Sequence, residues 1–240
     1  MKKGLLILFT LLYSVGFAKE KVVFIGLKAT SGRTMFNYRY TYNGVKQNQK
    51  DKLFYAGAYL NYGTTIKNVS IYSGIGYNLY QYNYNNLIFD TQFNGTEFSQ
   101  SAKAKRNYSM VSIPVNVDYR VNVYKQKLYF VVGVGAEINI TVKSKFKSND
   151  ASFSEDLSSR VKPSFALTAR TGLLYNINNR FDLFGYFDFS HHLTKYLPYK
   201  DSSAYTNKRD GNYPYNLAGS IGVNVKLYKK VPLTIQPPAK

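Results

Sequence analysis

The sequence predicts an all-β chain that forms a closed, eight-stranded, antiparallel, up-and-down β-barrel. Eight segments alternate apolar with small or polar residues at a period of two, which is the period of a β-strand. The connections between these segments alternate between short and long along the chain. Helical periodicity is almost absent after residue 18. Together these patterns favour a meander of long strands over a helical or mixed fold.

Composition narrows the class of protein. The chain has 240 residues, a formal net charge of +19, 17% aromatic residues and no Cys. The length suits a single domain, and the mean hydropathy of −0.31 excludes a protein built from membrane-spanning helices. The absence of Cys excludes a disulfide scaffold and thiolate chemistry. A basic balance fits either nucleic acid or an anionic membrane surface.

The first 18 residues have the three parts of a secretory signal. Met1-Lys2-Lys3 is positively charged, an apolar run follows, and small residues precede a cleavage site after Ala18. The alternative, an N-terminal membrane anchor, needs a longer apolar run to span about 30 Å of hydrocarbon. We therefore expect residues 1–18 to be removed. An exported chain does not meet chromosomal DNA, so we expect no nucleic-acid partner.

The alternation is clearest in residues 128–143. Val132, Val134 and Ile138 share one face, whereas Glu137 and Asn139 lie on the other. Residues 111–121 repeat the pattern and are joined to this segment by a short turn, which predicts a hairpin. The remaining predicted strands are 23–29, 54–62, 69–79, 165–175, 181–189 and 217–227. Most are long enough for the roughly 9–11 residues that a tilted strand needs to cross a bilayer.

The connections predict which end of the barrel faces which compartment. Short turns occur at 64–68, 122–126 and 176–179, and long polar loops at about 43–51, 84–107, 144–162 and 196–213. In a meander, alternate connections lie at opposite ends. Short periplasmic turns with long outer loops are typical of outer-membrane barrels, whereas a soluble sandwich has no reason to sort its loops by length.

Lipid imposes closure and an inverted exterior on such a sheet. Every backbone N–H and C=O in hydrocarbon needs an internal partner, so the first strand must pair with the eighth. We predict a barrel over residues 19–228 with its apolar face outward. Tyrosines near strand ends are expected to form aromatic girdles at the two membrane interfaces. These tyrosines are Tyr62, Tyr80, Tyr82, Tyr108, Tyr119, Tyr129, Tyr175, Tyr215 and Tyr228.

The inward face carries balanced charge. Four basic and four acidic side chains fall on inward positions: Lys28, Arg120, Arg170, Lys226, Asp118, Glu137, Asp182 and Asp188. An eight-stranded barrel has an interior that side chains just fill, and buried charges must be paired. We therefore predict a polar plug of ion pairs and of Asn and Tyr hydrogen bonds rather than a water-filled pore. A narrow ion path through the same charges is the alternative.

The remaining basic charge lies in loops, turns and tails. Residues Lys103, Lys105, Arg106, Lys143, Lys145 and Lys147 lie near the predicted long loops. Basic groups beside a membrane attract anionic headgroups, which makes outer-membrane lipid and the phosphates of lipopolysaccharide expected partners. The alternative is that these side chains merely keep the loops hydrated.

Catalytic and cofactor motifs are missing from the sequence. It has no His-Glu-x-x-His, no Gly-x-Ser-x-Gly and no phosphate-binding glycine loop, so we expect no cofactor, no metal site and no enzymatic activity. Gly74-x-Gly76 and Gly133-x-Gly135 are better explained as room for interior side chains. The weak catalytic candidates are Ser190, His192 and Asp188, which would share one strand face.

Several stretches resemble a known family of small outer-membrane β-barrels. They are VSIPV at 111–115, DYR at 118–120, LYFVVGVG at 128–135, FDFSHHLT at 187–194 and LAGSIGV at 217–223. With its strands laid out, the chain resembles PorT-like proteins and, more distantly, the OmpA-like membrane domain. The resemblance implies an outer-membrane barrel without specifying an activity. Unlike such chains, this one continues past Tyr228 with a proline-containing segment, which we expect to be a periplasmic tail over 229–240.

Three functions remain open from the sequence. The first is a non-enzymatic, monomeric outer-membrane barrel that acts in envelope structure, surface interaction or an envelope protein assembly. The second is a lipid-modifying barrel enzyme, an acyl hydrolase or transferase, that uses Ser190 and His192. The third is a secreted, soluble ligand-binding barrel, which requires an apolar lumen, whereas the inward face here is polar.

Overall fold

A computed structural model describes the backbone of residues 21–42, 45–93, 96–148, 154–156, 163–194 and 215–229, and side chains for most of these outside 36–53 and 82–106. No helix within these ranges is long and apolar enough to cross a membrane. The strands are β1 (Lys21–Tyr42), β2 (Val45–Ile66), β3 (Val69–Phe93), β4 (Thr96–Tyr124), β5 (Leu128–Ser148), β6 (Ser154–Asp156), β7 (Ser164–Asn176), β8 (Phe181–His192) and β9 (Tyr215–Lys229).

Eight of these strands form a closed antiparallel barrel. Each pairs with its neighbour in the order β1-β2-β3-β4-β5-β7-β8-β9, and β9 pairs back onto β1. The three-residue β6 pairs only with the outer part of β5. The predicted fold class is therefore confirmed, and all eight predicted segments lie within barrel strands.

The register of the strands fixes the width of the barrel. The paired residues can be followed once around the sheet from Ser70, through Gly133 and Gly32, to Tyr80 on the same strand. The stagger is therefore 80 − 70 = 10 residues. With ordinary strand spacing, this stagger tilts eight strands by about 40° from the barrel axis. A barrel of this size has an interior that side chains can fill.

The barrel is inverted relative to a soluble protein. Val132, Val134 and Ile138 are 43%, 64% and 46% exposed, whereas Arg170 is 7% exposed and Asn78 is fully buried. No charged residue occupies the outward alternate positions of 56–64, 71–79, 111–121, 130–142, 165–175, 181–189 and 217–227. The predicted apolar exterior and polar interior are confirmed.

The predicted long loops are partly wrong. β1 and β2 remain paired out to Tyr42 and Val45, and β3 and β4 out to Phe93 and Thr96. The sequence predicts loops at 43–51 and 84–107 because most residues there are polar and show no sustained period of two. The predicted signal peptide at 1–18 and the tail beyond Lys229 lie outside the described residues.

The predicted tyrosine girdle is half right. Tyr62, Tyr119 and Tyr175 are exposed near the ends of strands that enter short turns. Tyr80 and Tyr108 are only 3% and 1% exposed, and Tyr129 packs on an interior cluster. Those three occupy inward positions, and the alternation decides the side to which a strand residue points even at a strand end. Tyr215 is half-buried, and the side chains of Tyr82 and Tyr228 lie outside the described residues.

Closure of the barrel predicts a disulfide that the chain itself lacks. Leu27 of β1 pairs with Val223 of β9, and paired antiparallel positions approach within disulfide range. We expect the L27C/V223C variant to cross-link on mild oxidation, seen as a mobility shift on non-reducing gels. L27C/L167C places the second cysteine on β7, which does not pair with β1, and should stay reduced. A cross-link in both variants, or in neither, contradicts the closed register.

Candidate functional site

An arginine lies at the centre of the charged part of the barrel interior. Nε of Arg170 on β7 lies 3.7 Å from Oδ1 of Asp118 and 3.8 Å from Oδ1 of Asp188. The guanidinium also donates hydrogen bonds to the Tyr72 hydroxyl and to the Asn116 side-chain oxygen. Tyr72 in turn donates to Oδ2 of Asp118 at 2.9 Å. Strands β3, β4, β7 and β8 are thereby tied together across the lumen.

Two lysines complete the ion pairing. Nζ of Lys28 donates to Oδ2 of Asp188 at 3.2 Å and lies 4.4 Å from the centre of the Tyr59 ring. Nearer the short turns, Nζ of Lys226 lies 2.7 Å from Oδ1 of Asp182. Six of the eight predicted interior charges therefore neutralise one another in two groups.

The other two predicted charges lie beside these groups. Glu137 is half-buried next to Ser112 and Asn139 and is attracted by Lys28. Arg120 is half-buried and attracted by Asp118. The structure thus places all eight predicted residues on or at the edge of the lumen, and their role in function stays a prediction.

Glycines make room for the central ion group. A Cβ atom on Gly133 would lie 2.0 Å from Oδ1 of Asp118, and one on Gly135 would lie 2.4 Å from the Asn116 side-chain oxygen. Gly133 sits between Asp118 and Arg170 in the paired register. These glycines therefore serve interior packing, as the sequence indicated.

The described lumen is filled. The space left among Lys28, Tyr72, Asp118 and Arg170 is about 10 Å³, which is room for about one water molecule. Below it, Val131, Leu174, Phe184 and Tyr186 form an apolar cluster toward the short turns. A chain of polar contacts and this apolar cluster leave the interior without an open passage in the described part of the chain.

A second polar chain, built from Tyr and Asn hydrogen bonds of the kind that the sequence predicted, runs toward the long-loop end. The Tyr55 and Tyr59 hydroxyls lie 3.0 Å apart, and Asn78 donates to Tyr59 at 2.9 Å and to the Ser112 hydroxyl. Ser112 also hydrogen-bonds to Asn139. Their inward positions in the alternating pattern predicted hydrogen bonds of this type, but not which residues would be partners.

The weak catalytic candidates are not arranged as a triad. The Asp188 carboxylate is held by Lys28 and Arg170, and the Ser190 hydroxyl accepts a hydrogen bond from Nδ2 of Asn216 at 2.8 Å. Nδ1 of His192 lies 3.3 Å from the Ser164 hydroxyl. The acid that would orient the histidine is thus engaged by Lys28 and Arg170, and a catalytic role for Ser190 and His192 stays a prediction.

Asn216 explains the position of His192. Its Nδ2 lies 3.5 Å from Nε2 of His192, and its Oδ1 accepts a hydrogen bond from Thr34 at 2.6 Å. The two ring nitrogens of His192 on β8 therefore face Ser164 on β7 and Asn216 on β9, so the ring links three neighbouring strands.

The predicted lipid-contact lysines lie at the long-loop end. Lys143 and Lys145 are exposed near the outer part of β5. The register pairs Lys145 with Asn107 and Lys147 with Lys105, and it places Arg106 opposite Phe146. The side chains of Lys103, Lys105, Arg106 and Lys147 lie outside the described residues. In the described part of the chain, no three His, Asp or Glu residues are grouped as metal ligands would be.

No family model and no curated protein sequence matches the chain. Among solved structures it is similar to Neisserial surface protein A, with 13% identity, a TM-score of 0.42, and coverage of 85% of this chain and 97% of that one. It is also similar to the outer membrane protein OprG from Pseudomonas aeruginosa, with 12% identity, a TM-score of 0.42, and coverage of 87% of this chain and 96% of that one. The outer membrane protease OmpT from Escherichia coli is similar with 9% identity, a TM-score of 0.41, and coverage of 88% of this chain and 98% of that one. These likenesses are too distant to transfer an activity.

The Lys226–Asp182 pair predicts unequal costs for its two single substitutions. The Asp182 side chain is 3% exposed and that of Lys226 is 14% exposed. K226M strands a buried carboxylate and should cost about 3–5 kcal/mol in the free energy of unfolding. D182N leaves a lysine close to solvent and should cost less. Urea unfolding in micelles should also show that the double variant costs less than the sum, and strict additivity would contradict the pairing.

The close packing around Gly133 predicts that two Gly→Ala substitutions differ in their effect on stability. Gly133→Ala pushes a methyl group into Asp118 and should destabilise the barrel by about 1–3 kcal/mol. Gly219→Ala is the control, because nothing lies within 4 Å of the added Cβ on the outer face. The same urea unfolding measures both, and equal stabilities would show that the lumen is not packed at Gly133.

Proposed function

We propose that the protein is an integral outer-membrane β-barrel, filled by its own side chains and without enzymatic activity, that acts in envelope structure or in surface interaction. The observation that carries the proposal is the inversion of the barrel. An exterior of exposed Leu, Ile, Val and Phe around a charged interior is unfavourable in water and favourable in lipid.

Closure supports the membrane assignment independently. Pairing of β1 with β9 leaves the barrel without an open edge, so the backbone needs no water inside the apolar belt. Soluble barrels that bind ligands keep an apolar cavity, whereas the lumen here holds ion pairs and a residual space of about 10 Å³. A secreted ligand-binding barrel is therefore disfavoured.

The long-loop end supports a role in surface interaction. Among the described residues the last β1–β9 pair is Met35 with Tyr215, and β1 continues beyond it with β2 as a two-stranded hairpin. The β3–β4 hairpin also extends far beyond the last β2–β3 pair at Phe54 and Gln81. Such ribbons offer a broad surface outside the membrane for lipopolysaccharide or another envelope protein.

The basic residues at this end favour anionic lipid as a contact. Lys143 and Lys145 are exposed just beyond the outward Val142. Their ammonium groups would meet the phosphates of lipopolysaccharide, and the paired positions Lys105 and Lys147 would extend that contact. Export through a signal peptide and membership of the PorT-like or OmpA-like barrels remain predictions.

Fractionation tests the membrane proposal directly. We expect the native chain to be recovered with outer membranes, to enter a detergent phase, and to migrate differently on gels before and after heating. Planar bilayers should show no steady ion conductance, because the lumen is filled. Recovery as a detergent-independent soluble protein would refute the proposal. A lipid A composition unchanged by H192A would separately exclude the acyl-transfer alternative.

Depth in the bilayer should control the cost of charge on the exterior. Val134 faces outward in the middle of β5, and Val123 faces outward beside the β4–β5 turn. V134R should cost about 2–4 kcal/mol of unfolding free energy in vesicles, and V123R about 0–1 kcal/mol. Unfolding by urea in phospholipid vesicles measures both. Equal costs would place the exterior in a medium without a hydrocarbon centre.

A further inference from the structure

The short-turn end of the barrel carries a ring of exposed cations that the lumen does not use. Lys67 lies in the β2–β3 turn, Lys125 and Lys127 in the β4–β5 turn, and Arg180 in the β7–β8 turn. We call these four residues the cationic rim. Because those turns join different strand pairs in the barrel order, the cations are spread around the perimeter rather than gathered on one side.

The carboxylates that the structure describes do not neutralise the cationic rim. Among the described residues, no carboxylate forms an ion pair with any of its four members. The nearby acids, Asp118 and Asp182, are buried and are engaged by Arg170 and Lys226. The rim therefore presents net positive charge to whatever lies outside it.

Two of these lysines occupy backbone positions that disfavour them. Lys67 has φ 52° and Lys125 has φ 41°, in the left-handed region where Gly and Asn are preferred. The turns are nevertheless tied to neighbouring strands, because Arg120 N donates to Asn68 O and Asn176 N donates to Lys127 O, at 2.8 and 2.7 Å. Gln126, in the same turn as Lys125, has φ 57°, so the left-handed backbone is not specific to lysine, but the fixed turns hold the Lys67 and Lys125 ammonium groups at this end of the barrel.

The apolar exterior continues directly to the cationic rim. Val123 and Tyr124 are exposed in the β4 end that enters its turn, and Ile177 is exposed beside Arg180. Nζ of Lys125 lies 5.2 Å from the centre of the Tyr124 ring. Exposed tyrosines at a strand end mark the level where hydrocarbon meets headgroups, so the rim cations lie at the level of the phosphates.

We propose that the cationic rim binds the phosphates of anionic phospholipids in the membrane leaflet that faces the short turns. This inference rests on the proposed function, because it needs the barrel to span a bilayer. Lipid is favoured over an acidic protein because the cations surround the perimeter and adjoin the apolar belt. A folded partner would engage one side or the central end face. A bilayer meets every part of the perimeter at once.

The test compares two pairs of lysines at opposite ends of β5. The purified chain is inserted into phosphatidylcholine vesicles in which phosphatidylglycerol is confined to the leaflet at the short turns. Spin-labelled lipid then reports the preference of the protein for phosphatidylglycerol over phosphatidylcholine. We expect K125Q/K127Q to lower this preference, by up to about fivefold for each charge removed. The charge-conserving K125R/K127R should retain it.

K143Q/K145Q is the matched control, since it removes two exposed lysines from the other end of β5. It should leave the preference unchanged, because its leaflet contains only phosphatidylcholine. A wild-type chain with no preference, or equal losses in both glutamine pairs, overturns the proposal. The proposal is also overturned if K125Q/K127Q keeps its preference for phosphatidylglycerol but no longer captures an acidic protein or peptidoglycan. Failure of the chain to insert at all would instead overturn the membrane assignment, which distinguishes the two.

A single substitution separates charge from fold. K67N suits the left-handed backbone better than lysine, so it should raise the urea midpoint in zwitterionic micelles. The same variant should weaken the preference for phosphatidylglycerol. Loss of lipid preference in a more stable barrel cannot come from misfolding, and a stabilised variant with full preference would count against the rim.

Discussion

A strand edge surrounded by hydrocarbon would leave a row of N–H and C=O groups without partners, at a cost of several kcal/mol for each group. Pairing of β1 with β9 removes that edge. Once the sheet is closed with a stagger of ten residues, the interior is narrow enough for alternate side chains to fill it. The inward residues are therefore chosen for volume and mutual neutralisation, and the outward ones for solubility in lipid.

The interior is packed by placing large side chains beside glycines at paired positions of neighbouring strands. Arg170 and Asp118 lie on either side of Gly133, where a Cβ atom would collide with the carboxylate. The charges that share this narrow space are also linked through Tyr72 and Asn116, so each has polar partners. A lumen filled by hydrogen-bonded and ion-paired side chains favours a role as a rigid support for the external hairpins over a role as a channel.

The two ends of the barrel differ in structure, and we propose that they lie at opposite faces of the membrane. At the long-loop end the hairpins extend beyond the barrel. At the short-turn end the apolar belt adjoins the cationic rim, whose members pair with no carboxylate that the structure describes. His192 is part of the scaffold at the long-loop end, since it contacts Ser164 and Asn216. Its ring thus links β8 to β7 and β9.

The sequence alone determined the strands, their faces and the antiparallel order, because a period of two and the length of each connection are local properties. It also identified Lys28, Arg170, Asp118 and Asp188 as interior charges. It could not determine which of them pair, because partners such as Lys28 and Asp188 are 160 residues apart and meet only through the stagger of the closed barrel. The same reason explains why the partners within the Tyr55–Asn139 chain could not be assigned from the sequence. Which side chains meet inside a barrel is set by shear and width, and both arise only when the first strand meets the last.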